Sequence, residues 1–287
     1  MTPCTLLRET AACFRQAGIP DAETDSALLL SSLCGRPPLE LRLDTDSELD
    51  EKLLSAFHAL TKRRLSREPL QYITGEAPFF GLVFRVDPRV LIPRPETELL
   101  CEWALECLEE VPSPRILDLC CGSGCIGLSL SARRPGAAVT LSDLSADALA
   151  VAAENADRLA LKVHLRQGDL AEGLPDASFD MVVSNPPYIP SSQCPHLQPE
   201  VLREPRLALD GGTDGCDLYR RIVPDVRRIL RPGGYLLMEL GWEESDIVAG
   251  LLKGHSFSSV TVRDDFNGIH RMIYAVCTPP EELCSRN

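Results

Sequence analysis

Residues 115–124 read Arg-Ile-Leu-Asp-Leu-Cys-Cys-Gly-Ser-Gly, a short apolar strand that leads directly into a turn with two glycines. Asp118 lies near the end of that strand, and Gly122 and Gly124 allow the backbone to approach a ligand and to enter a helix. In an open α/β sheet, ligands bind beyond the carboxyl ends of the strands. The stretch therefore predicts the first strand of a ligand-binding α/β sheet.

Strands and helices alternate from Arg115 towards the end of the chain. A second strand is predicted at 138–142, and a helix follows at about 146–159. The remaining strands are predicted at 163–167, 180–184, 234–240, 260–263 and 271–277. This order is typical of the α/β class, with a mostly parallel sheet covered by helices on both faces.

The first part of the chain differs from the rest. Residues 1–75 show apolar residues at helical spacing, with helix starts at Thr2, at Asp21 and near Ser47. Residues 76–95 are aromatic and β-branched and then rich in proline, which indicates a hairpin linker. We therefore predict a helical domain at 1–75, a linker at 76–95 and a ligand-binding α/β domain at 96–287.

Charge and composition limit the possible partners. The net charge is −13 over 287 residues, and residues 96–287 carry 17 Lys and Arg against 29 Asp and Glu. A protein that grips duplex DNA needs a basic face, so nucleic acid is not expected as the main partner. There is no apolar run long enough to span a membrane and no secretory signal, so we expect a cytoplasmic location. Nothing in the sequence suggests an oligomer, and we expect a monomer.

The twelve cysteines do not form a recognisable metal or disulfide pattern. Their spacing is irregular, and no CxxC pair occurs. They are best explained as small buried apolar residues, and we expect no bound metal.

The glycine turn and an acid on the next strand predict a site for an adenosine-containing cofactor. Asp143 follows Gly124 by 19 positions, and a carboxylate there can accept both ribose hydroxyls. These features alone also fit NAD, but the full GxGxxG is missing, and Asp118 suits the positive charges of S-adenosylmethionine. The predicted cofactor-binding residues are Asp118, Cys120, Cys121, Gly122, Ser123, Gly124, Asp143, Asp169, Leu170 and Asn185.

The most informative motif is Asn-Pro-Pro-Tyr, at 185–188, which ends an apolar strand. A planar –NH2 nitrogen is a poor nucleophile, and two acceptors aimed at its N–H groups can hold it in line with a methyl group. The Asn185 side-chain oxygen and the Pro186 carbonyl can be those acceptors, and Tyr188 offers a face for stacking. We predict Asn185, Pro186 and Tyr188 as catalytic residues, with Pro187 completing the substrate site.

Residues 189–217 form a long irregular stretch directly after this motif. It is rich in proline, glycine and polar residues, and it contains Gly-Gly-Thr-Asp-Gly at 211–215. Long loops without regular structure are usually lids or binding loops. We therefore predict that this stretch forms a wall of the substrate site.

Together these motifs resemble the release factor glutamine methyltransferases, the PrmC/HemK family. The matching segments are Leu-Ile-Pro-Arg-Pro-Glu-Thr-Glu at 91–98, the glycine turn, Asn-Pro-Pro-Tyr, Glu204-Pro205 and Gly-Gly-Thr-Asp-Gly. The resemblance covers nearly the whole chain. It implies a class I, Rossmann-like methyltransferase domain with a seven-stranded sheet, preceded by a helical domain that docks the substrate.

The resemblance also implies a reaction, which is N5-methylation of the glutamine in the Gly-Gly-Gln loop of peptide chain release factors. Asn185 and Pro186 would bind the glutamine amide, and Asp143 the ribose of the donor. The chain departs from the family at Cys120, where glycine is usual, and at Leu170, where an aromatic residue is frequent. Because neither residue takes part in the transfer, we expect these departures to change donor affinity rather than to abolish activity.

Three alternatives stay open from the residues themselves. N6-adenine DNA methyltransferases also carry Asn-Pro-Pro-Tyr, and would use it on a flipped base. Glutamine methyltransferases that act on a ribosomal protein are close relatives, but differ at the segment 93–98. A donor-binding scaffold without catalysis is a third possibility, against which the intact Asn185, Pro186 and Tyr188 argue.

Overall fold

The computed structural model of the chain describes residues 1–279. It divides into two compact units, of which the first comprises Met1–Glu76 and Gln198–Arg203 and the second Ala77–Leu197 and the chain from Glu204 onwards. The first unit spans the helical domain predicted at 1–75 and takes in six residues of the long loop as well. The hairpin linker predicted at 76–95 falls almost entirely in the second unit, and residues 280–287 of the predicted α/β domain lie outside the described residues.

The first unit is helical. Its helices are α1 (Pro3–Gln16), α2 (Ala22–Cys34), α3 (Pro38–Leu43), α4 (Glu51–Leu65) and α5 (Leu70–Thr74). Thr2 caps α1 as predicted, since its side chain accepts a hydrogen bond from the Thr5 N–H. Helix α4 begins later than the predicted Ser47, because Asp50 is its N-cap and accepts from the Leu53 N–H at 2.7 Å.

The apolar residues of these helices form one core, which is centred on the fully buried Phe14 and Phe57. The last turn of α4 is basic, with Lys62, Arg63 and Arg64. Arg64 does not belong to an exposed basic surface. It is 5% exposed and donates to Asp25 at 2.7 Å and to Glu200 at 2.8 Å, so its charge is compensated within the first unit.

The second unit is built on a seven-stranded sheet, after a small hairpin of β1 (Glu76–Phe79) and β2 (Leu82–Arg85). The strands of the sheet are β3 (Arg115–Leu119), β4 (Ala138–Asp143), β5 (His164–Gln167), β6 (Phe179–Ser184), β7 (Leu230–Glu239), β8 (Phe257–Asp264) and β9 (His270–Cys277). Their order is β5-β4-β3-β6-β7-β9-β8, and β9 runs in the direction opposite to the other six strands. The predicted α/β fold with a mostly parallel sheet is confirmed.

Helices cover both faces of this sheet. They are α6 (Pro95–Cys107), α7 (Cys125–Arg133), α8 (Ala146–Arg158), α9 (Asp217–Ile229) and α10 (Ser245–Gly254). Helices α6, α7 and α8 share one apolar core, and α9 and α10 share the other. No helix among residues 1–279 has the length and apolar character that a membrane span requires.

The directions of the strands place the candidate site at one edge of the sheet. Strands β4 and β6 lie on opposite sides of β3 and run parallel to it, so the order of the strands reverses there. A cleft forms outside the carboxyl ends of the strands at such a reversal. The glycine turn after β3 and the Asn-Pro-Pro-Tyr motif after β6 therefore come to the same edge of the sheet.

Candidate active site

A cavity of about 230 Å³ lies at this edge of the sheet. The residues that follow β3, β4, β5 and β6 all contribute to its wall. Of the predicted site residues, six with a cofactor role and Pro187 line it: Cys120, Gly122, Asp143, Asp169, Leu170, Asn185 and Pro187. The acceptor motif reaches this cavity through Asn185 and Pro187, whereas Pro186 and Tyr188 are not among the lining residues. Residues of the donor and acceptor motifs thus share one cavity, as required for a group transfer between two bound molecules.

The glycine turn is shaped by left-handed backbone. Gly122 and Gly124 have φ values of 54° and 78°, a region that favours glycine. Cys120 shares this conformation with a φ of 59°, which is costly for a residue with a Cβ. Helix α7 then packs tightly against the sheet, because a Cβ at Gly127 would lie 2.3 Å from the Leu141 side chain. The turn therefore needs its glycines, and Cys120 occupies a position that a glycine would fit without strain.

Asp118 lies behind the turn rather than on the cavity wall. It is fully buried, and its Oδ2 accepts a hydrogen bond from the Gly127 N–H at 2.8 Å. Burial and, to a smaller extent, the neighbouring charge of Asp143 raise the pKa of this carboxyl to about 7, although the hydrogen bond from Gly127 opposes the rise. Its Oδ1 has no hydrogen-bond partner among the described residues. Asp118 is therefore hydrogen-bonded to the first turn of α7 and does not line the cavity.

Asp143 lies directly on the cavity, at the end of β4. Its Oδ2 accepts from the Gly122 N–H and its Oδ1 from the Ser145 N–H, both at 2.9 Å. Burial raises the pKa of Asp143, and these backbone bonds counteract the rise. A carboxylate has about four lone-pair sites, so about two remain for hydroxyl groups of a ligand. This arrangement fits the ribose of an adenosine group.

The adjacent wall suits a flat apolar ring. Leu170, Leu144 and Ala148 line this part of the cavity, and Asp169 forms an ion pair with Arg221 at 2.7 Å. Leu170, one of the two predicted departures from the family pattern, offers apolar contact here rather than the face of an aromatic ring. The other three residues of the predicted donor site, Cys121, Ser123 and Gly124, shape the turn and do not line the cavity.

Cys120 brings a thiol to the wall of the cavity. Burial raises the pKa of its thiol to about 12, and the carboxylate of Asp143 contributes to the shift. The thiolate, and not the thiol, is the nucleophile. At neutral pH Cys120 therefore stays protonated and does not compete for a reactive methyl group.

The acceptor motif is held by its neighbours. The Ser184 hydroxyl donates to the Leu119 carbonyl at 2.6 Å and so ties the end of β6 to the end of β3. Asn185 Nδ2 donates to Thr97 Oγ1 at 3.2 Å, and the Tyr188 hydroxyl donates to Glu239 Oε1 at 3.1 Å. Burial raises the pKa of Tyr188, so its phenol stays protonated.

Four residues that hold this site together were not predicted from the sequence to have a role in it. Thr97 and Arg94 belong to the segment 91–98, whose pattern was recognised without a function for its side chains. Arg94 forms an ion pair at 2.5 Å with the buried Glu204, which also accepts from the Ile92 N–H at 2.9 Å. Glu239, the fourth residue, ends β7 and bonds Thr97 at 2.6 Å. Arg94, Thr97 and Glu204 fall in the recognised motifs, whereas the sequence placed Glu239 only in the strand predicted at 234–240.

The long loop after Tyr188 returns to the acceptor motif. The N–H of Ile189 donates to Leu209, and the Gly211 N–H donates to the Ile189 carbonyl at 2.8 Å. A Cβ at Gly211 would lie 2.6 Å from the Tyr188 Cα, so only glycine fits there. Pro205, Leu207 and Ala208 of this loop line the cavity. The loop therefore forms a wall of the site and supports the Tyr188 backbone.

Two family models match the chain, the PrmC N-terminal domain over residues 5–75 and the methyltransferase small domain over residues 97–241. The chain is 45% identical over 278 residues to a release factor glutamine methyltransferase of Chlorobaculum tepidum, covering 93% of this chain and 94% of that protein. It is 42% identical over 266 residues to the protein of the same name in Geobacter sulfurreducens, covering 92% and 93%.

A solved structure, a methyltransferase from Pyrococcus furiosus, has the same fold. It superposes with a TM-score of 0.52 at 16% identity and covers 70% of this chain and 91% of that one. The two relatives match this chain over nearly its full length. The two family models match its helical part and its α/β part. As its motifs predicted, the chain belongs to the family of release factor glutamine methyltransferases.

Proposed function

We propose that the chain transfers a methyl group from S-adenosylmethionine to the side-chain nitrogen of the glutamine in the Gly-Gly-Gln loop of peptide chain release factors. The observation that carries this proposal is the shared cavity, since Asp143 and Gly122 line it on the donor side and Asn185 and Pro187 on the acceptor side. The full-length relatives named release factor glutamine methyltransferase support the identity of the substrate.

The cofactor of this methyltransferase is S-adenosylmethionine, which supplies an electrophilic methyl group on a sulfonium. The cavity fits it in three respects. Asp143 retains lone pairs for the ribose hydroxyls, Leu144 and Leu170 provide an apolar wall for the adenine, and the left-handed Gly122 allows a close backbone approach. We assign these residues to the donor and Asp118 to the support of the turn.

The acceptor residues prepare the glutamine nitrogen. We propose that Asn185 Oδ1 and the Pro186 carbonyl accept its two N–H groups, with the amide lying against Tyr188. The nitrogen lone pair then attacks the methyl carbon, the carbon–sulfur electron pair stays on sulfur, and the nitrogen releases one proton to water. Orientation makes a large contribution to such a transfer, because no strong base is needed to attack a sulfonium.

The first unit carries the PrmC N-terminal domain, and we propose that it docks the release factor. The chain then acts in the cytoplasm, as a monomer. Nucleic acid is not its substrate in this proposal, consistent with the excess of 12 acidic residues over residues 96–287.

The test is radiolabelled methyl transfer from S-adenosylmethionine to purified release factor. Parallel reactions contain release factor with its Gly-Gly-Gln glutamine changed, ribosomal proteins, and duplex DNA. Label on the unchanged release factor alone is the expected result. Label on DNA or on a ribosomal protein, with none on the release factor, would replace the proposal with the corresponding alternative.

A variant links this activity to the site. Asn185→Ala removes an acceptor of the glutamine amide, and we expect a loss of roughly 100-fold or more in kcat, as when one donor of an oxyanion hole is removed. The matched control is Asn267→Ala, because Asn267 is exposed and distant in sequence from every motif. Full activity in Asn185→Ala would exclude the proposed mechanism and leave a merely structural role for the motif.

A further inference from the structure

Four buried or half-buried side chains beside the cavity form one continuous hydrogen-bonded chain. Asn185 Nδ2 is 3.2 Å from Thr97 Oγ1, which is 2.6 Å from Glu239 Oε2, and Glu239 Oε1 is 3.1 Å from the Tyr188 hydroxyl. The members come from the first turn of α6, the loop after β6 and the end of β7. Thr97 and Glu239 are 2% and 1% exposed, so water does not substitute for these partners.

The number of available hydrogens determines which group donates in each hydrogen bond of this network. A carboxylate only accepts, so the single hydroxyl hydrogen of Thr97 goes to Glu239. Thr97 Oγ1 is then only an acceptor towards Asn185, and the group of Asn185 that faces it must be the NH2. The oxygen of the same amide therefore points away from Thr97.

The amide orientation decides whether Asn185 can act. The two ends of an asparagine amide have the same shape, and only their hydrogen-bond partners distinguish them. With Nδ2 held by Thr97, Asn185 offers Oδ1 to the cavity, where an N–H of the substrate needs an acceptor. If the amide were reversed, an NH2 group would face the NH2 of the substrate, and the two donors would repel each other.

Charge around Glu239 is consistent with an accepting carboxylate. Burial raises the pKa of Glu239, while the hydrogen bonds from Thr97 and Tyr188 and the positive charge of Arg271 favour the ionised form. Arg271 is anchored next to Glu239, because its guanidinium donates to the Leu240 carbonyl at 3.0 Å. Glu239 is not among the residues that line the cavity, so it reaches the substrate only through other side chains.

We propose that Thr97 and Glu239 are positioning residues for the methyl transfer, which set the amide orientation of Asn185 and hold Tyr188 beside it. The inference rests on the proposed function, since it concerns the acceptor site of that reaction. It also gives a role to the threonine of the Pro-Arg-Pro-Glu-Thr-Glu segment, a motif that the transfer chemistry had left without a function. Thr97 and Glu239 touch neither substrate nor donor in this scheme.

The experiment compares Thr97→Val, which has nearly the same shape but no hydroxyl, with Thr97→Ser, which keeps the hydroxyl. We expect Thr97→Val to lower kcat by roughly 10- to 100-fold, as a lost buried hydrogen bond and a free amide rotation would. KM for the release factor and Kd for S-adenosylhomocysteine stay close to the wild-type values, because docking and donor contacts are intact. Thr97→Ser recovers most of kcat. The control for a buried Thr-to-Val change is Thr278→Val, which follows β9 and does not line the cavity.

A double variant tests whether Glu239 acts through Thr97. Glu239→Gln has one acceptor oxygen for two donors, so we expect an intermediate loss of kcat. If the two residues form one relay, Thr97→Val with Glu239→Gln is no worse than the poorer single variant, whereas independent effects would add.

Three results separate the possible failures. No methyl transfer to the release factor by the wild-type chain would refute the proposed function itself, before any variant is compared. Transfer by wild type with an unchanged kcat in Thr97→Val would refute the positioning role alone. A loss in Thr97→Val that Thr97→Ser does not restore, or that appears equally in donor Kd, would also overturn it and indicate a general packing defect.

Discussion

Replacing Asp143 by asparagine tests how the donor is held. The carboxylate of Asp143 already accepts from two backbone N–H groups, and we assign its remaining lone pairs to the ribose hydroxyls. The Asp143→Asn variant keeps the volume of the side chain but removes its charge and half of its accepting capacity. A hydrogen bond to a charged group contributes about 1.5–3 kcal/mol, so donor affinity should fall by roughly 10- to 100-fold.

The assay is isothermal titration with S-adenosylhomocysteine and with its 2′,3′-dideoxy analogue. Because the asparagine NH2 also opposes a backbone N–H of Gly122 or Ser145, the variant has a second, purely structural effect on the turn. The dideoxy analogue separates the two effects, since it lacks the hydroxyls but still needs the turn. We expect the variant to weaken binding of S-adenosylhomocysteine more than the already weak binding of the analogue, whose loss of affinity reports the structural effect alone.

Two results would refute this reasoning. Equal losses for both ligands would show that Asp143 only shapes the glycine turn. Unchanged affinity for S-adenosylhomocysteine, with an unchanged Tm, would show that the ribose lies elsewhere in the cavity.

Gly211→Ala should lower kcat by on the order of 100-fold, because the added Cβ would lie 2.6 Å from the Tyr188 Cα and a displacement of about 1 Å is enough for such a loss. The control is Gly250→Ala, since there is open space around Gly250. Normal kinetics in Gly211→Ala would contradict the close packing. Asp118→Asn should flatten the pH dependence of stability, measured by denaturant unfolding at several pH values. Burial raises the pKa of Asp118 from an ordinary 3.8 to about 7, so its contribution is present below about pH 4 and lost as the pH rises through about 7; an unchanged slope would argue against the shift. Cys120→Gly should fold and bind donor, whereas Cys120→Val should lose roughly 1–2 kcal/mol of unfolding free energy, because a β-branched residue does not tolerate a φ of 59°; equal stability of the two variants would contradict the strained turn.

The order of the seven strands of the sheet could be predicted from the sequence, because it follows from local patterns, whereas α3, α5 and α10 were not predicted. Apolar runs such as 115–119 and 180–184 became β3 and β6 with little change at their ends. Boundaries that depend on a cap were harder. Ser47 looked like a helix start, but its side chain and its N–H both bond Asp44, and Asp50 is the residue that caps α4.

The glycine turn, Asp143 and the Asn-Pro-Pro-Tyr motif could also be predicted from the sequence, because glycine, carboxylate and amide at the ends of parallel strands have few other uses. The sequence by itself determined these residues and the family. Only the tertiary structure decided their division of labour, with Asp143 on the cavity and Asp118 behind the turn. Thr97 and Glu239 are 142 positions apart, and only the fold brings a helix start and a strand end within hydrogen-bond distance. Such a contact depends on how α6 packs over β7, and no local pattern of residues encodes that distance.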